Sequence, residues 1–301
     1  YNSSGGAALP PTPNINALKN SGVMFRTAYA HPTCSPSRAT LFTGRHPFRH
    51  GVTTAVTAND GQLSAGEFTL PRAFAANSGL GYSTALLGKW HLTIGTSIAN
   101  DPANIGGWPH YSGCLQGGLN SYTAWTKTIN GVSGTTNGTT TYATTDVTND
   151  AIAWIGARGT NPWFACVAYN APHTPFHKPP NNLHTYDTTV AGWATLPINT
   201  NQRTHYNAAT EAMDTEIGRL LASISANVLG NTMIIFIGDN GSPTQVVQTP
   251  FSTAHGKDTM YEGGVRVPLI ISGPEVVSPN REFTAPVHIA DLYPTILELA
   301  G

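Results

Sequence analysis

Three short apolar runs set the strongest limit on what this chain can fold into. "TMIIFIGDNG" (232–241), "WFACVAYNAPH" (163–173) and "VPLIISGP" (267–274) are continuous rather than alternating, and each gives way to polar or turn-forming residues. Runs of this length and form suit strands buried on both faces of a sheet. "YSTALLGKWHL" (82–92) is a fourth candidate. Helical patterns lie between them: "DVTNDAIAWIGARG", then a stretch over 204–229. There Ala209, Met213, Ile217, Leu220, Leu221 and Ile224 share one face. "ADLYPTILELAG" carries Pro294 early and Gly301 at its end, as helices prefer. Strands alternating with helices predict an α/β chain with a mainly parallel central sheet sandwiched by helices.

Within that plan residues 1–301 read as one domain, with no repeat and no clear linker. Residues 126–145 are Thr-rich and hold Asn130-Gly131 and Asn137-Gly138. They read as a hairpin or surface insertion. Charged residues are 10% of the total and the net charge is -1, against about 25% charged in ordinary soluble domains. No basic field favours nucleic acid or an anionic membrane. No apolar run reaches the ~20 residues of a membrane span. Cys34, Cys114 and Cys166 are too few for a disulfide framework. Low lysine and abundant Thr and Asn suggest an exported protein, periplasmic or extracellular. The opening "YNSSGGAALPPTPN" reads as a loop and carries no signal peptide.

Ligands of open α/β sheets bind beyond the carboxyl ends of the strands. That rule draws attention to Asp239 and Asn240, His173, and Lys89 and His91. Strand alternation would point Lys89 and His91 to one side. Cys34 precedes "SPSRATLFTG", where Ser35 suits a helix cap and Pro36 a first helical residue. The helix dipole and Arg38 then favour an anion at Cys34. Each residue also has a plain reading. Cys34 equally suits a buried structural thiol, Asp239-Asn240-Gly241 a turn, and His173, Lys89, His91 and Lys257 ordinary satisfied or solvated side chains. His46/His50 and His173/His177 have helical metal-ligand spacing, but Pro47 and Pro175 interrupt them. A cysteine-phosphatase loop needs Arg six positions after Cys, and position 40 is Thr. Taken together, the anion site, carboxylate pair and separate Lys and His groups suit transfer of a phosphoryl or sulfuryl group.

"CSPSRATLFTGR" resembles the signature of the type I, formylglycine-dependent sulfatases, which are arylsulfatase-like members of the alkaline phosphatase superfamily. "TPNINALKNSGVMFRTAYA", "GYSTALLGKWHL", "NAPHTPF", "IGDNGSP", "HGKDTMYEGGVRVPLIISGP" and "HIADLYPTILELAG" resemble further family blocks in the same order. The resemblance implies that Cys34 is oxidised to formylglycine by a formylglycine-generating or anaerobic sulfatase-maturing enzyme. Its gem-diol would attack sulfur, and the sulfated enzyme would then release sulfate. Arg38 would hold the formylglycine, and Lys89 a sulfate oxygen. His91 would be the base, His173 would contact the leaving oxygen, and Lys257 would contact the sulfate and the bridging oxygen. Asp239 and Asn240 would be half of a Ca2+, or Mg2+, site. The family's first strand, ending in Asp-Asp, and its C-terminal subdomain are expected beyond the ends of this chain. The implied substrate is an aryl sulfate or a sulfated carbohydrate. The competing readings are a phosphonate monoester hydrolase or phosphodiesterase of the same superfamily, a non-catalytic sulfated-glycan binder with unconverted Cys34, and a cysteine hydrolase.

Overall fold

The computed structural model describes residues 9–57, 60–95, 101–137 and 142–301, with only the backbone of 133–137. Eleven strands are present among these residues: β1 Gly22–Phe25, β2 Ala28–Tyr29, β3 Ser83–Gly88, β4 His110–Gly113, β5 Ala124–Ile129, β6 Val132–Asn137, β7 Trp163–Ala168, β8 Ile234–Ile237, β9 Leu269–Ser272, β10 Arg281–Phe283 and β11 Val287–His288. They form sheets in the orders β10-β1-β9-β8, β11-β2 and β6-β5-β4-β3-β7. The α/β class holds. The pairing is mixed, however: β3 runs parallel to β4 and β7, whereas β9 runs antiparallel to both β1 and β8.

The apolar runs at 163, 234 and 269 each become a strand, but β7 and β8 are only half-buried along their length. Among the described residues β7 pairs only with β3, and β8 only with β9. Both strands line a cavity of about 1520 Å3 that also reaches Lys89, His173, Asp239 and Lys257.

The helix Gln202–Ser223 buries Ala209, Ile217 and Leu220 together with Glu211, Asp214 and Glu216, while Met213 and Leu221 are half-buried and Ile224 falls just past its end. The helix Ala143–Gly156 packs with it on the face of β3 and β7. On the other face the helix Cys34–Thr43 lies almost wholly buried. Its mean polarity explains how it does so. Ser37 Oγ donates to the Thr33 carbonyl at 3.0 Å and Thr43 Oγ1 to the Ala39 carbonyl at 2.7 Å, so small hydroxyls satisfy themselves against the helix backbone. Phe42 then packs against Trp90 and Trp108, with centroids 6.2 and 5.3 Å away. Burying a large apolar side chain of this kind contributes about 2–3 kcal/mol.

β5 and β6 form a hairpin with Ile129 opposite Val132. Asn130 and Gly131 both take positive φ (45° and 85°), as a tight two-residue hairpin turn requires. Residues 143–145 belong to the following helix, and Gly138 lies outside the described residues.

Candidate active site

Cys34 is the first residue of its helix, after Thr33 in extended conformation. Ser35 therefore does not cap the helix, as its sequence position suggested. Its hydroxyl instead donates to the His91 carbonyl at 2.8 Å and accepts from the Val56 amide at 3.0 Å. The thiol of Cys34 is buried, 3.1 Å from His91 Nδ1. His91 Nε2 lies 3.2 Å from the Val56 carbonyl, which can only accept, so the ring proton sits on Nε2. Nδ1 then carries its lone pair toward Cys34. Burial first, and then the charges of Lys89 and Arg38, push the His91 pKa down to about 3. The ring is a neutral base at ordinary pH.

The segment that carries His91 is not a continuation of β3. The strand ends at Gly88, and His91 has φ 53°, a left-handed conformation costly for a β-carbon residue. Three bonds hold it there: Lys89 N to the Ala168 carbonyl, Trp90 N to the Cys114 carbonyl and His91 N to the Leu115 carbonyl, at 2.8, 2.9 and 3.0 Å. Gly88 is required because any β-carbon there would lie 2.1 Å from the Ala168 oxygen. Trp90 is fully buried in the core and donates through Nε1 to Thr93 Oγ1, which turns its neighbours Lys89 and His91 away from the core. The Arg38 guanidinium is engaged by backbone carbonyls beyond β3: it donates to the Trp90 carbonyl at 2.9 Å and to the Lys89 carbonyl. It therefore positions this segment and supplies positive charge from behind it.

His173 approaches from beyond β7. Its Nδ1 donates to the Thr174 carbonyl at 2.8 Å, which leaves the Nε2 lone pair facing Lys257 Nζ at 3.3 Å. Burial, then Lys89 and Lys257, hold its pKa at about 4. Lys257 is placed by its amide, which donates to the Ser242 carbonyl at 2.8 Å, and the next amide, of Asp258, donates to the Pro32 carbonyl beside Cys34. Adjacent glycines cover the two imidazoles. A β-carbon on Gly117 would lie 2.3 Å from the His91 ring, and one on Gly118 3.4 Å from the His173 ring.

Asp239 and Asn240 follow β8. Lys89 Nζ is 3.9 Å from Asp239 Oδ2; the Lys89 side chain is 4% exposed, while Asp239 opens 37% into the cavity. Burial alone would raise the Asp239 pKa, but Lys89, then Arg38, Lys257 and His173, outweigh it and hold the carboxyl below its ordinary value. The carboxylate is thus ionised among cations. Asn240 Nδ2 donates to the Gly241 carbonyl at 2.8 Å, while its buried Oδ1 has no hydrogen-bond partner among the described residues. An ionised carboxylate beside an unpaired amide oxygen suits part of the donor set of a hard dication, and these two residues fit half of a Ca2+ or Mg2+ site.

Arg38, Lys89, His173, Asp239, Asn240 and Lys257 all line the one cavity, and Cys34 and His91 join it through the bonds described above. The sequence read Ser35 only as a helix cap, and did not single out Gly117 or Tyr122, whose hydroxyl donates to the His173 carbonyl at 2.9 Å. Only Ser35, inside the cysteine motif, had a signal to notice. Of the histidine pairs with helical spacing, His46 merely precedes the short helix Pro47–His50, and His173/His177 lie in no helix. All three cysteines are free.

An α/β chain that gathers a buried thiol, a neutral imidazole and several cations at strand ends presents a site suited to an oxyanion. The sulfatase family model matches residues 2–301, and the chain belongs to that family. It is 27% identical to arylsulfatase J of Mus musculus over 96% of this chain and 48% of that protein. It is 30% identical to N-acetylgalactosamine-6-sulfatase of Homo sapiens, over 96% and 57%. The crystal structure of Ps i-CgsB in complex with k-i-k-neocarrahexaose superposes with a TM-score of 0.83 at 28% identity, covering 98% of this chain and 68% of that one. The fold, but at 22% identity no more than the fold, is also that of the phosphonate monoester hydrolase SpPMH from Silicibacter pomeroyi, with a TM-score of 0.69 over 97% and 69%. The chain spans about half the length of the curated relatives it matches. Among the described residues no helix is long and apolar enough to cross a membrane.

Proposed function

We propose that the protein hydrolyses a sulfate ester of a carbohydrate, using formylglycine formed from Cys34. The observation that carries this reading is the 3.1 Å contact between Cys34 Sγ and the lone-pair nitrogen of a neutral His91, beside a cavity ringed by Lys89, His173 and Lys257. The Sγ position stands in for a hydroxyl oxygen on the same carbon. Formylglycine supplies there a hydrated aldehyde, with one hydroxyl for attack on sulfur and a second for releasing sulfate.

His91 Nδ1 is set to take a hydroxyl proton, while its Nε2–H stays on the Val56 carbonyl. Lys89 and Lys257 offset the charge of the sulfate oxygens, and Arg38 adds its field through the backbone it holds. The Lys257 ammonium, donating to His173 Nε2, holds the proton nearest the leaving oxygen, and His173 orients it. Asp239 and Asn240 would hold Ca2+, or Mg2+, which supplies Lewis-acid polarisation of the sulfate when bound. The carbohydrate substrate is supported by the saccharide in the Ps i-CgsB structure and by the sugar in the name of the human relative. The reading includes a maturation enzyme acting on the "CSPSR" stretch, and export from the cytoplasm.

The test has two parts. Mass spectrometry of the peptide holding Cys34, from a host with the maturation enzyme, is expected to show the loss of mass of formylglycine; an unshifted peptide points to a binder instead. Matured protein is expected to release sulfate from sulfated oligosaccharides, and Cys34→Ala to release none while melting at the parent temperature. Faster turnover of a phosphate diester, or retained activity in Cys34→Ala, overturns the assignment.

A further inference from the structure

Away from the candidate active site, three histidines from distant stretches of chain converge. His31 lies three residues ahead of Cys34, His46 follows the Cys34–Thr43 helix, and His288 closes β11. One ring nitrogen from each lies within 4.8 Å of those of the other two. Ring centroids are 4.9 Å apart for His31 and His288, and 5.1 Å for His46 and His288. Parallel pairing of β11 with β2 sets His288 opposite Tyr29 and so fixes its approach to His31. His31 and His288 are half-buried, and His46 is exposed.

We propose that His31, His46 and His288 form a binding site for a transition-metal dication of the Zn2+ class, with one imidazole nitrogen from each and solvent in the fourth position on the His46 side. Three imidazoles select Zn2+, Cu2+ or Ni2+ over the hard ions suited to Asp239 and Asn240. The buried rings are ready to ligate. Burial first, then His288 and His46, push the His31 pKa down to about 4, and burial with His46 lowers that of His288 against the opposing pull of Asp291. Both rings therefore keep a lone pair at neutral pH.

A further layer of bonds orients His31. His50 Nδ1 accepts from the Val52 amide at 3.2 Å, so its proton is on Nε2 and donates to Thr40 Oγ1 at 3.1 Å. His31 Nε2 lies 2.9 Å from the same hydroxyl. When His31 donates there as well, its Nδ1 is left free for a metal, the outer-layer arrangement common around ligating histidines. His288 bears the cost. Its Nδ1 accepts from the Ala290 amide at 3.2 Å, and ligation through Nε2 gives up that bond. The helix start keeps its other cap, in which the His288 amide donates to Asp291 at 2.7 Å. Zn–N bonds of about 2.0–2.1 Å place ligand nitrogens about 3.3 Å apart, so each pair of rings closes by no more than about 1.5 Å, with the exposed His46 moving toward the other two. The bound ion would clamp the segment entering Cys34 to the end of β11, without touching the reacting atoms.

The experiment uses chelator-treated protein held in excess Ca2+, so that oxygen-donor sites stay filled, and titrates it with Co2+. One equivalent is expected to give the intense visible absorption of a four-coordinate ion, and Zn2+ to abolish it by displacement. His46→Gln changes an exposed residue and is expected to lower Zn2+ affinity by at least about tenfold, with His288→Gln doing the same. Metal-free melting of His46→Gln is expected to match the parent. A parent that binds no Co2+ at micromolar concentration, or a spectrum unchanged in His46→Gln, overturns the site.

Discussion

His91 and Asn240 each sit three residues past the end of a strand, β3 and β8 respectively, and both belong to one candidate active site. Their surroundings differ sharply. Every polar atom of His91 has a partner: its amide donates to Leu115, its carbonyl accepts from Ser35, and its ring nitrogens meet Cys34 and Val56. Asn240 satisfies its amide nitrogen, and its buried Oδ1 has no hydrogen-bond partner among the described residues. A buried acceptor left unpaired costs about 1–3 kcal/mol, so it persists where a ligand completes it. The Cys34 side is thus satisfied by bonds within the protein, whereas the Asp239–Asn240 side keeps an acceptor for the cation proposed above.

Lys89 belongs to both sides. Its carbonyl accepts from Arg38 on the first, and its ammonium reaches toward Asp239 on the second. Lys89→Ala is therefore expected to have the largest effect, lowering kcat/KM for sulfate release by about 100- to 1000-fold, the usual loss for a donor to developing negative charge. The fold should persist, checked by circular dichroism. A loss under tenfold would separate Lys89 from the chemistry.

Gly117→Ala strikes the packed side alone. The added β-carbon would lie 2.3 Å from the His91 ring, and the ring must move off Cys34. A displaced base costs about 100-fold in rate. Ca2+ affinity, measured by calorimetry, should stay as in the parent. Asn240→Ala strikes the open side alone. Without Ca2+ the variant loses the Nδ2–Gly241 bond but is also relieved of the unpaired Oδ1, so its melting temperature should stay within about 2–4 °C of the parent. With Ca2+ at 100 times its dissociation constant, the parent gains about 2.7 kcal/mol, and the variant is expected to gain less. An equal Ca2+-dependent gain in both proteins would remove Asn240 from the cation site.

The same contrast explains what was legible in the sequence. Lys89, His91, His173, Asp239 and Asn240 stand just past apolar runs, and the rule of strand ends found them because it depends on chain order; Lys257 follows a loop and came only from the family resemblance. The alternation argument for Lys89 and His91 did not survive: β3 stops at Gly88, and the left-handed His91 is held by bonds to Cys114, Leu115 and Val56 that no local pattern encodes. Arg38 shows the same limit. Its charge was evident, yet its partners are the carbonyls of residues 51 and 52 positions away. The mixed pairing of β8 with β9 was invisible too, since an apolar run suits a buried strand in either direction. The cluster of His31, His46 and His288 joins residues over 240 positions apart; spacing instead drew attention to His46/His50, a pair broken by Pro47.

Tyr122 offers the finest cut between the two sides. Its hydroxyl donates to the His173 carbonyl at 2.9 Å, and its ring stacks on His177 at 3.7 Å. Tyr122→Phe keeps the stacking and removes only the bond, which is worth about 0.5–1.5 kcal/mol. On the proposed role of His173, directing Lys257 at the leaving oxygen, the loss should fall on kcat, by about 3- to 10-fold, while KM and Ca2+ affinity stay near the parent values. The effect should shrink with substrates whose leaving alcohol is more acidic, because these need less help from Lys257 and His173. A uniform loss across leaving groups would mean that Tyr122 supports the fold around residue 173 and not the position of its imidazole.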